Sequence, residues 1–417
     1  MATSIAAKHA KGKFAADAIM AAAARCTEDI EKNGAAAVIN GTVGSMMDEN
    51  GDLVVLQVVK DTFAALTPEQ IVAYAPIPGF QEFLDAAIDQ CFGASRPDGF
   101  IRAIATPGGS GAIHTSVHNY SDPGDEVLTT DWYWGAYRNI ARDDNRILRE
   151  FELLTEDGTF NFQSFEKNVT ELVAKQYNTV IILNSPANNP TGYGLSLEEW
   201  DRVLDFLKQA VAGKDKNIIL VSDVAYLDYS GEKEECRQFF KKFGNLPANI
   251  MPIVAYTCSK SFTLYGQRLG AMICVTPEEA IADEFMAINK YTARATWSNA
   301  NSSAMWTMIE ITKDPDKVAR LDQERAMYFQ MIKERADIFM EEAAACGLKI
   351  LPYISGFFIT IPVTHADKIC DILEQEHVYL VPLKKGIRLA VCSVSKQKIT
   401  GLAAKVKKAI DAAGIVQ

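Results

Sequence analysis

A chain of 417 residues, 48% hydrophobic, 23% charged and 9% aromatic, has an ordinary globular composition and the length for two or three structural units around a deep site. Its formal charge of -11 and isoelectric point near 5.1 argue against nucleic acid as a partner, and no apolar run approaches bilayer length, so no membrane span is expected. Eight cysteines (Cys26, Cys91, Cys236, Cys258, Cys274, Cys346, Cys370, Cys392) lie scattered without a C-x-x-C pair, and five histidines (His9, His114, His118, His365, His377) without H-E-x-x-H spacing. No metal site and no disulfide framework is therefore expected, and the thiols read as those of a cytoplasmic protein.

The opening stretch to Phe14 carries lysines and no acids, and its alanine-rich sequel, Ala15 to Arg25, reads as an ordinary helix rather than a targeting segment. Regular alternation starts near residue 80. Phe80 to Cys91 has helical apolar spacing, Phe100 to Ala105 is a short strand, and Thr106-Pro-Gly-Gly-Ser-Gly111 turns into a helix through His118. Glu126 to Thr129 and Ile147 to Phe151 read as strands around a helix from Tyr133 to Arg142. Thr179 to Leu183 and Ile218 to Ser222 are continuous β-branched runs, typical of strands buried on both faces of a parallel sheet, with a helix from Leu197 to Val211 between them. Ile253 to Tyr256 and Leu269 to Val275 complete the series. This alternation predicts an α/β fold with a mostly parallel sheet between helices. After residue 310 come a long amphipathic helix (Val318 to Ala345), strands at Leu348 to Leu351 and Phe357 to Ile361, and a closing helix: a smaller α+β unit.

In such a sheet, ligands bind beyond the carboxyl ends of the strands. The backbone N–H groups of Gly108-Gly109-Ser110-Gly111 and the Ser110 hydroxyl, at a helix start, form a ready anion site, although a tight connection alone would also account for the glycines. Asn184-Ser-Pro-Ala-Asn-Asn-Pro-Thr-Gly192 stops one buried strand. Asp223 sits at the end of another, where an unpaired charge is costly, so a cationic partner is expected. Lys260, among hydroxyls in Thr257-Cys-Ser-Lys-Ser-Phe-Thr-Leu-Tyr-Gly-Gln-Arg268, is suited to form an imine. His114 and His118 share a helical face, with no carboxylate in the sequence pattern to complete a ligand set. An anion pocket, a buried carboxylate and a buried lysine at one sheet edge suit a phosphate-bearing aldehyde cofactor.

Asn189-Pro-Thr-Gly192, Asp223-x-x-Tyr226, and Ser259-Lys260 with Arg268 eight residues on occur here in the order found in a known family. Over about residues 35 to 395 the chain resembles the class I aminotransferases of the fold-type I pyridoxal-phosphate enzymes, in particular the aspartate and aromatic aminotransferases. The resemblance implies a seven-stranded, mostly parallel sheet in a large domain, with a smaller α+β domain. It implies that Lys260 carries pyridoxal 5'-phosphate and later moves the substrate proton. Asp223 would pair with the pyridine nitrogen, and Tyr226 and Asn189 would hold the ring's phenolic oxygen. Trp134 would stack on the ring, with Trp132 as the alternative register. Gly109, Ser110, Thr257, Ser259 and Arg268 would cup the phosphate, joined by Tyr74 from a neighbouring subunit, which implies a homodimer with shared sites. Arg388 and the Gly44 backbone would take the substrate α-carboxylate, and Arg294 the side-chain carboxylate across the interface.

Arg294 favours aspartate and glutamate as donors and 2-oxoglutarate as acceptor; aromatic amino acids are an alternative, as is a pyridoxal-phosphate lyase or decarboxylase on the same fold. The chain departs from the commonest family pattern at Gly108 and Thr257, where serine is frequent, and at Asp131-Trp132-Tyr133. Residues 1–60 are read as an amino-terminal segment shared with the small domain and the dimer contacts, 61–310 as the large cofactor-binding domain, and 311–417 as the small domain.

Overall fold

In the computed structural model, which describes residues 5–13 and 18–417, the first strand is the short β1 (Ile39–Asn40). The alternating region supplies β2 (Phe100–Thr106), β3 (Glu126–Thr130), β4 (Ile147–Phe151), β5 (Asn178–Asn184), β6 (Asn217–Asp223), β7 (Ile250–Thr257) and β8 (Gly270–Thr276). These make one sheet in the order β2-β8-β7-β6-β5-β3-β4, in which only β8 runs against its neighbours. The β-branched runs explain the centre: Val180 to Leu183 and Ile218 to Val221 are buried on both faces, packed against separate helical layers. One layer is centred on the helix Leu197–Val211, whose Ser196 and Glu199 form a reciprocal cap. The other includes the helix Gly108–Tyr120.

Register positions the chemistry. Asn184 stands opposite Asp223, and Asp223 opposite Ala255, so the polar ends of β5, β6 and β7 emerge side by side.

A second unit is built on β9 (Phe358–Pro362), β11 (Val381–Leu383) and β12 (Gly386–Ala390), antiparallel in the order β11-β12-β9, while β10 (Val378–Tyr379) pairs in parallel with β1. Ile39, Met46 and Val54 pack in the same core as Ile361, Leu389 and Leu402. Spanning both cores is the helix Pro315–Cys346, started by the Asp314 side chain and a proline in its first turn; Leu321 faces the large core and Ile332, Ala336 and Phe339 the small one.

Three sequence expectations need adjustment. Leu348 to Leu351 is not a strand: the Lys349 N–H donates to the Gln417 side chain instead of a ladder, Leu351 makes a single bond to Thr360, and Pro352 ends any pairing. The helix expected from Tyr133 begins at Ala136, because Thr130 Oγ1 donates to the Trp132 carbonyl and holds 131–135 as a turn. The helix expected over Ala15 to Arg25 continues to Asn33, being observed over Ala18–Asn33; residues 15–17 lie outside the described ones.

Candidate active site

Beyond the carboxyl ends of β2, β5, β6 and β7 lies a cavity of about 420 Å³. Every site residue expected from the sequence lines it except Tyr74 and Arg294. Those two sit elsewhere on this chain's surface: Tyr74 is 90% exposed, and exposed Arg294 donates to its neighbour Ser298.

The anion end is built from three segments. The helix Gly108–Tyr120 presents the N–H groups of Gly109 and Ser110 at its first turn. Thr257 Oγ1 donates to Ser259 Oγ at 3.1 Å, and the Arg268 guanidinium donates to the same Ser259 oxygen at 3.1 Å. Gly108 has φ +70, and a Cβ there would stand 2.6 Å from Arg268 Nη2. Glycine is what lets the guanidinium lie against the helix start.

Lys260, on the short turn Cys258–Ser261 after β7, donates from Nζ to the Gly44 carbonyl at 2.8 Å, and its ammonium lies 4.7 Å from the Tyr265 ring centre. Burial pushes it down to about 8; Cys392 opposes that shift, while Arg268 and Arg388 add to it. Such an amine is neutral often enough near physiological pH to act as nucleophile and base.

Asp223 is 5% exposed. It has no ion pair among the described residues. Its Oδ2 accepts from the Tyr137 hydroxyl at 2.5 Å and its Oδ1 from the Ala225 N–H at 3.1 Å. Burial pushes its carboxyl up, and these two bonds pull it back. Beside it, Asn189 Nδ2 donates to the Tyr226 oxygen at 3.2 Å while Asn189 Oδ1 accepts from Arg388 Nη1 at 3.3 Å. Arg388, 2% exposed on β12, also donates to the Thr42 carbonyl at 2.7 Å and lies over the Phe358 ring. Trp134 lines this cavity, and Trp132 lines a smaller neighbouring one.

Sequence reasoning missed Tyr137, and it assigned no part in the wall to Ile19, Met20, Ala23, Tyr265 or Phe358. Tyr265 stood inside the quoted lysine segment. For Tyr137 no signal existed, since its partner is 86 residues away. Asp144 does stand against both His118, at 3.0 Å, and His114, at 3.5 Å, because the turn after the helix Ala136–Asp143 folds back on them. No group able to hold a metal ion occurs among the described residues, and no described helix is long and apolar enough to cross a membrane.

A model of the family described as "Aminotransferase class I and II" matches residues 36–406. The chain belongs to this family. The tyrosine aminotransferase of Klebsiella pneumoniae is 26% identical over 359 residues, 83% of this chain and 86% of that protein. The aspartate aminotransferase of Salmonella typhi is 24% identical over 354 residues, 82% and 86% of the two chains. Among solved structures, an aminotransferase from Anaerococcus prevotii DSM 20548 has a TM-score of 0.95 and 38% identity, covering 97% of this chain and 98% of that one. The protein is thus an enzyme, an amino acid aminotransferase on the fold-type I scaffold expected of the family.

Proposed function

We propose that the enzyme uses pyridoxal 5'-phosphate to move an amino group from aspartate or glutamate to a 2-oxo acid such as 2-oxoglutarate. One observation carries the cofactor reading: a buried carboxylate with no cationic partner among the described residues, Asp223, faces the same cavity as a lysine of depressed basicity. The residues fit the group. Arg268, Ser259, Thr257, Ser110 and the Gly109 N–H would hold its phosphate, Asp223 its ring nitrogen, Tyr226 and Asn189 its phenolic oxygen, Trp134 its ring face, and Lys260 its aldehyde carbon. When bound, the cofactor supplies an electron sink for the bond broken at the substrate Cα.

The chain's own work follows from the geometry. Arg388, held by Thr42 and Asn189, orients a carboxylate beside the Gly44 backbone. Lys260 holds or moves the Cα proton at Nζ, and the enclosing wall limits water. Arg294 and Tyr74, outside this chain's cavity, suit an enzyme that works as a homodimer with each site completed by a partner, where Arg294 would read a side-chain carboxylate. Eight free cysteines suit a cytoplasmic setting. The boundaries 1–60, 61–310 and 311–417 accompany this reading, supported by the two separate cores.

A second reading, transfer from aromatic amino acids, is favoured by the apolar wall of Ile19, Met20 and Ala23. The test is a titration of holoenzyme with aspartate and, separately, tyrosine, following conversion of the lysine-linked visible band to the pyridoxamine band. Conversion by aspartate that fails in Arg294→Ala supports the dicarboxylate reading, and conversion by tyrosine alone the aromatic one. A protein that takes up no pyridoxal phosphate overturns the proposal, and holoenzyme that forms no pyridoxamine with either donor points to a lyase or decarboxylase.

A further inference from the structure

Tyr137 does not itself line the cavity, yet it holds the one carboxylate that does. It projects from the first turn of the helix Ala136–Asp143, is 1% exposed, and is gripped by the apolar layer around Ile113 and Val221. Its ring lies edge-on to Trp134, 5.8 Å between centres, and its hydroxyl gives a 2.5 Å bond to Asp223 Oδ2. We propose that Tyr137 is a positioning residue that fixes the Asp223 carboxylate and keeps its negative charge in place for the ring nitrogen of the cofactor. This rests on the reading of Asp223 given above.

The physical case has two parts. A buried carboxylate is driven toward its neutral acid, which could not hold a cationic ring nitrogen. No described cation pairs with Asp223 to prevent that. Its oxygens are held by Tyr137, from the helix Ala136–Asp143, and by the Ala225 N–H after its own strand, while Tyr226 is a further ionisable group in its field. Of these, only the phenol can be deleted from the carboxylate without altering the cavity wall. The proton itself stays on Tyr137, because burial, and next the Asp223 charge, push that phenol well above its ordinary range. Tyr137 thus donates without ionising, and by lowering the basicity of Asp223 it leaves the shared proton on the cofactor nitrogen. Its packing against Trp134 ties the ring-stacking wall to the same anchor.

Tyr137→Phe removes the hydroxyl and keeps the ring. In holoenzyme loaded with 15N-pyridoxal phosphate, the ring-nitrogen resonance should move toward the unprotonated position. Turnover should fall roughly ten- to a hundredfold, the size of one hydrogen bond to a charged group, with KM unchanged. In the Asp223→Asn background the same substitution should leave the ring-nitrogen resonance and the residual turnover unaltered, because the effect passes through the carboxylate. Infrared titration of the apoenzyme tests Tyr137 independently of the cofactor reading: the Asp223 carboxylate should protonate at higher pH in Tyr137→Phe, and at lower pH with 3-fluorotyrosine, a stronger donor, at position 137. The fluorotyrosine arm serves equally if the phenylalanine variant does not fold. A wild type that ignores pyridoxal phosphate would end the functional proposal while leaving the infrared arm in force. An unmoved carboxylate titration, or an effect of equal size in the Asp223→Asn background, would overturn the role of Tyr137.

Discussion

Replacing Gly108 with alanine tests whether the glycine-rich turn is a phosphate cup or only a tight connection. Two costs are separable in the structure. At φ +70 an L side chain costs about 1–2 kcal/mol of backbone strain. The new Cβ would also stand 2.6 Å from Arg268 Nη2 and 3.1 Å from its Cζ. An arginine end can usually swing aside, but this one is pinned by Ser259 Oγ at 3.1 Å and the Tyr265 carbonyl at 3.0 Å, so relief means breaking those bonds. Losing one charge-assisted contact to a dianion is worth about 1.5–3 kcal/mol, a roughly ten- to hundredfold weaker affinity. Gly124→Ala is the control, with φ +97 and nothing within 4 Å of the new Cβ, so that it carries the strain alone. Urea unfolding of both variants, beside calorimetric titration of the apoenzymes with pyridoxal phosphate and with inorganic phosphate, reads the two costs apart. Both variants should lose stability, and only Gly108→Ala should lose phosphate affinity. If the two bind pyridoxal phosphate as wild type does, Arg268 does not serve the cofactor phosphate.

Lys260 gives a pH signature without any ligand. Its folded value of about 8 lies below the ordinary 10.5, so the unfolded chain binds the extra proton and apoenzyme stability should rise with pH between those values. Lys260→Met should flatten that rise in denaturant titrations across the window and gain stability at neutral pH; an unchanged slope would mean the amine is not buried in solution. Arg388→Lys replaces a fork with a point charge, and KM for every amino donor should increase roughly tenfold or more in steady-state assays, with the cofactor band intact. Arg237→Met leaves the buried Asp228 carboxylate without its closest partner and should cost about 3–5 kcal/mol in urea unfolding, although neither residue lines the active-site cavity.

The fold was legible because its strands are strong local signals. Val180 to Leu183 and Ile218 to Val221 have nowhere to go but a sheet centre, and Ser196 with Glu199 marks a helix start in four residues. The cavity was legible to the extent that its groups sit at strand ends, where sequence position implies spatial position: Asp223 ends β6 and Lys260 follows β7. What escaped came from elsewhere. Tyr137 reaches Asp223 through the apolar layer that its helix shares with the helix Gly108–Tyr120, and no local pattern encodes that meeting. Ile19 and Met20 lie far from the sheet in the chain and join the wall through tertiary packing. For Asp223 the sequence implied a cationic partner, which the resemblance assigns to the cofactor's ring nitrogen, but nothing in it revealed that a phenol and a backbone N–H also hold the carboxylate. Leu348 to Leu351 failed because apolar alternation cannot reveal that Gln417 competes for its backbone.

The bond from Lys260 to the Gly44 carbonyl also bears on how the enzyme is made. Gly44 follows β1, and β1 pairs with β10, close to Arg388 on β12. Synthesis runs from Gly44 through Lys260 to Arg388, so the early strand waits for the later one that pairs with it. Until then the central sheet can form, but its lysine lacks the carbonyl that receives it and the carboxylate-binding arginine does not yet exist. The strand that carries the amine's carbonyl partner therefore gains its own neighbour only after the lysine has been made.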